Sequence, residues 1–152
     1  GVLRTLSKAW ALAGARIGAL LAHADVIALL RRIMPPYPLP TPSVEAALDT
    51  LAVPGEAAMR QRVALIVAER ERMASALRAT PGVREVLASQ ANFLTVRFDG
   101  AADVYRTLAA RGIVVRDVSH YPGLENCLRI SIGCAQDNAQ LLDALNMPVA
   151  SA

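Results

Sequence analysis

The sequence predicts an α/β chain in two parts, residues 1–53 and 54–152, the second a small α+β layer with helices on one side of an open sheet. Three observations carry that expectation. Short β-rich runs such as 93-FLTVRF-98 and 128-LRISIG-133 alternate with helix-periodic stretches. The segment 56–79 repeats apolar residues at Val63, Ile66, Val67, Met73 and Leu77 against a background of arginine and glutamate, the pattern of a long amphipathic helix. Ahead of it, 35-PPYPLPTP-42 packs five of the nine prolines into eight residues, a density that no helix interior or central strand accepts.

Taken in order, residues 1–7 are short and apolar and suit a buried strand ending at the hydroxyls of Thr5 and Ser7, with 17-IGALLA-22 as its neighbour. Asp25 precedes VIALLRRIM, whose spacing predicts a helix over 24–34. After the extended proline connector, Ser43 is the expected N-cap of the helix VEAALDTLA, and Pro54-Gly55 its expected stop. The long helix should end at Thr80-Pro81-Gly82. Strands follow at 83–87 and 93–98, then a helix at 102–111, strands at 113–118 and 128–133, and a last helix at 136–146.

Composition narrows the function classes. A 54% hydrophobic content over 152 residues supplies a core and excludes general disorder. Sixteen basic and thirteen acidic residues interleave, so no long basic face is offered to nucleic acid. The apolar run over 9–30 is interrupted by Arg16, His23 and Asp25, short of the roughly 18 uncharged residues of a membrane span, and it lacks the charge-then-core order of a signal peptide. Cys127 and Cys134 have neither CxxC spacing nor paired histidines, so no metal is expected and both read as free, buried thiols of a reducing cytoplasm. His23 and His120 read as surface or loop residues. Because the chain opens on Gly inside a strand-like run, it is expected to be the back portion of something longer.

One position stands apart. Lys8 is the only lysine among sixteen basic residues, so arginine fills every ordinary surface role and this site alone keeps an amine. Arginine stays protonated and forms no imine, whereas a lysine amine can attack an aldehyde. Around Lys8 stand groups suited to a phosphate: the hydroxyls of Thr5 and Ser7, the guanidinium of Arg16 and backbone N–H groups near Gly14. An amine beside a phosphate cradle describes a pyridoxal phosphate site.

At these residues the chain resembles a family. The run 4-RTLSKAWALAGARIG-18 is similar to the Schiff-base segment of fold-type I aminotransferases, and closely to that of histidinol-phosphate aminotransferases. The similarity continues through 36-PYPLPTP-42, 92-NFLTVRF-98, 112-GIVVRD-117 and 128-LRISIG-133, nearly the whole chain. The resemblance implies the end of a large cofactor-binding domain over 1–53 and a small C-terminal α+β domain over 54–152. It implies pyridoxal 5'-phosphate as cofactor, Lys8 as the lysine that carries it and then moves the substrate proton, and Thr5, Ser7 and Arg16 as its phosphate ligands. Trp10 stands where the family usually has Phe.

At the substrate end, Arg116 and Arg129 each lie inside a β-rich run, where an arginine needs a partner such as Asp117 or Glu125 or must point outward. By the resemblance, Arg129 grips the carboxylate of glutamate or 2-oxoglutarate and Arg116 helps hold a substrate phosphate. Asn92 is a further candidate for the pocket, and Tyr37 for a dimer interface beside it. The implied reaction moves an amino group between histidinol phosphate and 2-oxoglutarate in histidine biosynthesis, in a cytoplasmic homodimer with no nucleic-acid or membrane partner. Groups that contact the pyridine ring are expected upstream of Gly1, so this chain alone is expected to be inactive, and to self-associate through faces of 1–53. Three alternatives stay open: a threonine-phosphate decarboxylase, another fold-type I aminotransferase, and a stand-alone interaction module.

Overall fold

The computed structural model describes residues 1–146; residues 147–152, the end of the expected second domain, lie outside the described residues. The chain forms two compact units, Gly1–Ala64 and Leu65–Ala152. In the first, β1 (Val2–Thr5) pairs antiparallel with β2 (Gly18–Leu21), in a register that sets Thr5 opposite Gly18. Both strands are largely exposed, so the expected buried strand is a surface ribbon of four residues. A two-stranded ribbon has no second layer of its own to bury it.

Helix α1 (Ala24–Arg31) stops three residues before the expected end at 34, and the chain leaves it in a turn. His23 caps its start, Nδ1 accepting from the Asp25 N–H at 3.4 Å. Helix α2 (Thr41–Leu51) begins inside the proline connector. Pro40 is its N-cap and Pro42 sits in its first turn, where the missing N–H would have had no partner, so Ser43 is not the cap. Nor does Pro54-Gly55 end α2. The break falls at Ala52, and both residues lie in the first turn of α3 (Val53–Arg78). A Cβ on Gly55 would lie 1.9 Å from the Thr50 carbonyl oxygen, so only glycine admits this tight join between two helices.

In the second unit, β3 (Val83–Val86), β4 (Phe93–Phe98), β5 (Arg116–Asp117) and β6 (Cys127–Ser131) form an antiparallel sheet in the order β3-β4-β6-β5. The expected six-residue strand at 113–118 shrinks to two. Gly112 turns at φ +75° and the Ile113 N–H returns to Leu108, so residues 113–115 are spent leaving α4 (Ala101–Ala110). Period-two alternation divides the sheet: Leu94, Val96 and Phe98 of β4 with Leu128 and Ile130 of β6 enter the core, joined by Met73, Ala74 and Leu77 of α3, Leu108 of α4 and Leu141 of α5 (Ala135–Asn146). Val63 and Val67, expected on the same buried stripe of α3, are exposed. Of the two thiols expected to be buried, Cys127 is, and burial pushes it up. Cys134 is exposed beside the start of α5.

Helix α3 pins one end of this sheet. The Arg70 guanidinium donates to the Ala91 carbonyl, next to the start of β4. Glu69 accepts from Arg72 and from the amide of buried Asn138, which also brackets Gly133 just past β6, accepting from its N–H at 3.0 Å and donating to its carbonyl at 3.1 Å. The Arg72 and Asn138 hydrogen bonds hold the Glu69 carboxyl at about 2, below its ordinary 4.5. A depressed carboxyl stabilises the fold above its unfolded value and loses that contribution as pH falls toward the folded one. Thermal unfolding midpoints should therefore drop between pH 4.5 and about 2 in the wild type, and Glu69→Gln should flatten that slope. Asn138→Ala should cost about 1–3 kcal/mol near neutral pH, read from denaturant midpoints, because it strips the partners of a buried amide.

Candidate active site

The loop between β1 and β2 gathers Thr5, Ser7, Lys8 and Arg16. Backbone bonds close it, Leu6 N–H to Ile17 O at 3.2 Å and Leu12 N–H to Leu6 O at 3.0 Å, while the Ala11 N–H returns to Lys8 O at 2.9 Å and folds the lysine into a turn. The Thr5 hydroxyl donates to Ser7 Oγ at 2.8 Å and accepts from the Ser7 N–H at 3.1 Å, so the two predicted phosphate ligands are joined. Lys8 is exposed. Arg16 donates to Ala13 O at 3.2 Å from within the same loop.

This loop is strained. Ala11 and Arg16 adopt left-handed backbone, φ 58° and 56°, at a cost on the order of 1–2 kcal/mol each for a residue with a Cβ. No carboxylate occurs before Asp25, and Arg4, Lys8 and Arg16 give the segment a uniformly positive charge. At Gly14 an added Cβ would meet nothing within 4 Å, so packing does not dictate the glycine. An amine, two joined hydroxyls and a guanidinium on one short connection are group types suited to a phosphorylated aldehyde.

A second constellation lies in the sheet of the second unit. Arg116 of β5 is directly opposite Arg129 of β6, which is directly opposite Thr95 of β4. Direct partners across antiparallel strands share a face, so this row lies on the face away from the core. Neither Asp117 nor Glu125 neutralises it: Asp117 is occupied by Ser119, whose hydrogen bonds hold its carboxyl below the usual range, and Glu125 is held by backbone N–H groups and by Arg97. Among the described residues neither Arg116 nor Arg129 has a carboxylate within 4 Å. The Arg129 guanidinium sits 4.0 Å over the Phe93 ring. Both arginines, with Val114, Val115 and Ser131, line a cleft of about 240 Å³.

Like charges directly opposite in a sheet cost a few tenths to about 1 kcal/mol. That cost makes sense if an anion occupies the cleft. Asn92 immediately precedes Phe93 and is half-buried, its carbonyl accepting from the Ile132 N–H at 3.0 Å. Tyr37 is brought to neither constellation and is 91% exposed. Phe93, Thr95 and Ser131 were not singled out by sequence reasoning. Only strand register could have found them, since period two places Phe93, Thr95 and Arg129 on one face once β4 is known to pair with β6.

The chain matches the family described as aminotransferase class I and II over residues 1–146. It belongs to that family. Among relatives of this chain, the histidinol-phosphate aminotransferase of Stenotrophomonas maltophilia is 51% identical over 99% of this chain and 42% of its own length. A putative aminotransferase from Burkholderia pseudomallei superimposes with a TM-score of 0.82 at 38% identity, over 95% of this chain and 44% of that one. The histidinol-phosphate aminotransferase of Sinorhizobium meliloti, solved in complex with pyridoxal-5'-phosphate, gives 0.81 at 28% identity, over 95% and 39%. The chain thus has the expected α/β, fold-type I architecture, and it spans about two fifths of the length of the curated relatives it matches.

Removing one charge of the arginine pair should reveal its purpose. Arg116→Gln should leave stability unchanged or raise it by up to about 1 kcal/mol without phosphate. The upward shift in unfolding midpoint that inorganic phosphate gives the wild type should fall by at least about half, one of two cationic partners being gone. Differential scanning fluorimetry over a phosphate series measures both.

Proposed function

We propose that the protein transfers an amino group between histidinol phosphate and 2-oxoglutarate, using pyridoxal 5'-phosphate. The observation that carries this reading is the unneutralised Arg116–Arg129 pair lining one cleft. Two adjacent guanidinium groups can meet a phosphate dianion in one half-reaction and a carboxylate in the other. A relative named for this activity at 51% identity supports the choice of substrate. The reading includes a homodimer acting in the cytoplasm and a division of the chain into domains 1–53 and 54–152. No helix among the described residues is long and apolar enough to cross a membrane.

In this scheme the β1–β2 loop holds the cofactor. Thr5, Ser7 and Arg16 bind its phosphate, the hydroxyls as hydrogen-bond donors and the guanidinium as a fixed charge. Pyridoxal phosphate, when bound, supplies an aldehyde and an electron-withdrawing ring that acidify the α-hydrogen of an amino substrate. Lys8 would hold that aldehyde through Nζ, and its amine, when free, would take the proton from the substrate Cα. Arg129 fixes the carboxylate of glutamate or 2-oxoglutarate with its planar fork, and Arg116 adds charge for the phosphate of histidinol phosphate. The scheme assigns Asn92 to the substrate pocket and Tyr37 to the dimer surface.

The deciding experiment supplies the intact protein with histidinol phosphate, 2-oxoglutarate and cofactor, and follows glutamate. Glutamate formation that Lys8→Arg reduces by at least about a thousandfold, with the fold retained, is the expected result. Release of carbon dioxide from threonine phosphate, with no glutamate, would instead assign a decarboxylase. Reductive trapping adds a readout independent of turnover: Lys8 is the only side-chain amine in this chain, so borohydride should fix the pyridoxyl group on its peptide, and excess inorganic phosphate should suppress the labelling.

A further inference from the structure

We propose that Phe93 is a positioning residue for Arg129, its ring holding the guanidinium so that the fork is presented to a dicarboxylate; this rests on the carboxylate role proposed for Arg129 above. The arginine carbon lies 4.0 Å from the ring centroid, and no carboxylate of the described residues competes for it. Many guanidinium groups of the second unit are differently held: Arg70, Arg72, Arg84, Arg97, Arg106 and Arg111 all donate to protein oxygens. Among the described residues, Arg129 alone rests on a ring. A π-face contact uses none of the five N–H donors, which lie in the guanidinium plane, so the side chain is restrained while its hydrogen-bonding edges remain available. A carboxylate partner would restrain it equally well but would spend the fork.

The backbone that carries the ring is itself fixed. Phe93 opens β4 opposite Ser131, its carbonyl accepts from the Ser89 hydroxyl at 2.7 Å, and the Ala91 carbonyl two residues before it accepts from Arg70. Among the described residues Arg116, across the strand from Arg129, has no ring beneath it, a looser hold that suits the larger and more symmetric phosphate. Phe93 therefore acts on carboxylate recognition more than on phosphate recognition.

The test measures binding of glutarate, an unreactive dicarboxylate, and of inorganic phosphate to the intact protein by calorimetry, in the wild type, Phe93→Leu, Phe93→Tyr and Arg129→Lys. Phe93→Leu should weaken glutarate about fivefold and phosphate less than about twofold, while Phe93→Tyr, which keeps the ring, stays within about twofold of wild type for both. If leucine does not fold at this site, Phe93→Met serves in its place. Unchanged glutarate binding in the leucine variant, with Arg129→Lys weakened, would overturn the role of Phe93 and leave that of Arg129 standing. Equal losses of glutarate and phosphate, or a loss in the tyrosine variant as well, would mean general damage to the cleft and overturn it too. Unchanged binding in Arg129→Lys would overturn both readings together.

Discussion

The pairing of β4 with β6 is the constraint on which the second unit depends. Phe93 opposite Ser131, Leu94 opposite Ile130 and Thr95 opposite Arg129 set one register, and that register assigns every side chain of both strands to a face. A slip of one residue would drive Arg129 into the core and Leu128 out of it. Core packing and the proposed anion recognition are thus two consequences of one alignment. The fully buried Leu94, Val96, Leu128 and Ile130 enforce the register, because the alternative would bury an unpaired cation. Helix α3 reinforces the choice through Arg70 at Ala91 and through the Glu69–Asn138 contact at Gly133, so both strands are tied at the end where the cleft opens.

The first unit works on another principle. Among its described residues Ala47 is the only buried apolar one, and Leu3, Leu21, Leu29, Ile33 and Leu48 lie open. Its predicted chemistry is held by main-chain bonds. Leu6 to Ile17, Leu12 to Leu6 and Ala11 to Lys8 fix the loop without requiring side-chain packing, and the hydroxyls of Thr5 and Ser7 complete it. Two left-handed residues in so short a loop cost more than any of its hydrogen bonds contributes net, the latter being about 0.5–1.5 kcal/mol each. Strain of that size is kept where a conformation has work to do.

Much of this was legible in the sequence, for physical reasons that can be named. Strands β4 and β6 announced themselves because one buried face forces alternation, and Lys8 because a lone amine among arginines is a chemical choice. Helix boundaries were less legible. Pro42 and Pro54 read as breakers, but a proline in a first turn loses no hydrogen bond, so a residue that reads as the stop of one helix can sit in the first turn of another. The stripe on α3 read correctly at Met73 and Leu77 and failed at Val63 and Val67, since periodicity shows that a face is apolar and is silent on whether anything covers it. Arg116 and Arg129 were visible as residues. Their opposition across β5 and β6 was not, because register between strands separated by a loop is a tertiary fact.

That opposition is also what gives the arginine pair its meaning. An isolated arginine in a strand is solved by a nearby carboxylate, and this sheet contains that solution: Arg97 takes Glu85 and the loop carbonyls of Gly123 and Glu125. Asp117 sits beside Arg116 in sequence and Glu125 precedes β6, so acids were at hand. Alternation turns Asp117 off the arginine row and commits it to Ser119, while Glu125 is drawn into its own turn by Gly123 and toward Arg97. Each carboxylate that might have neutralised the pair is tied elsewhere by a specific bond. A surface that merely tolerated two arginines would let a flexible acid reach them; here the acids are held back, and the charge stays available to a ligand.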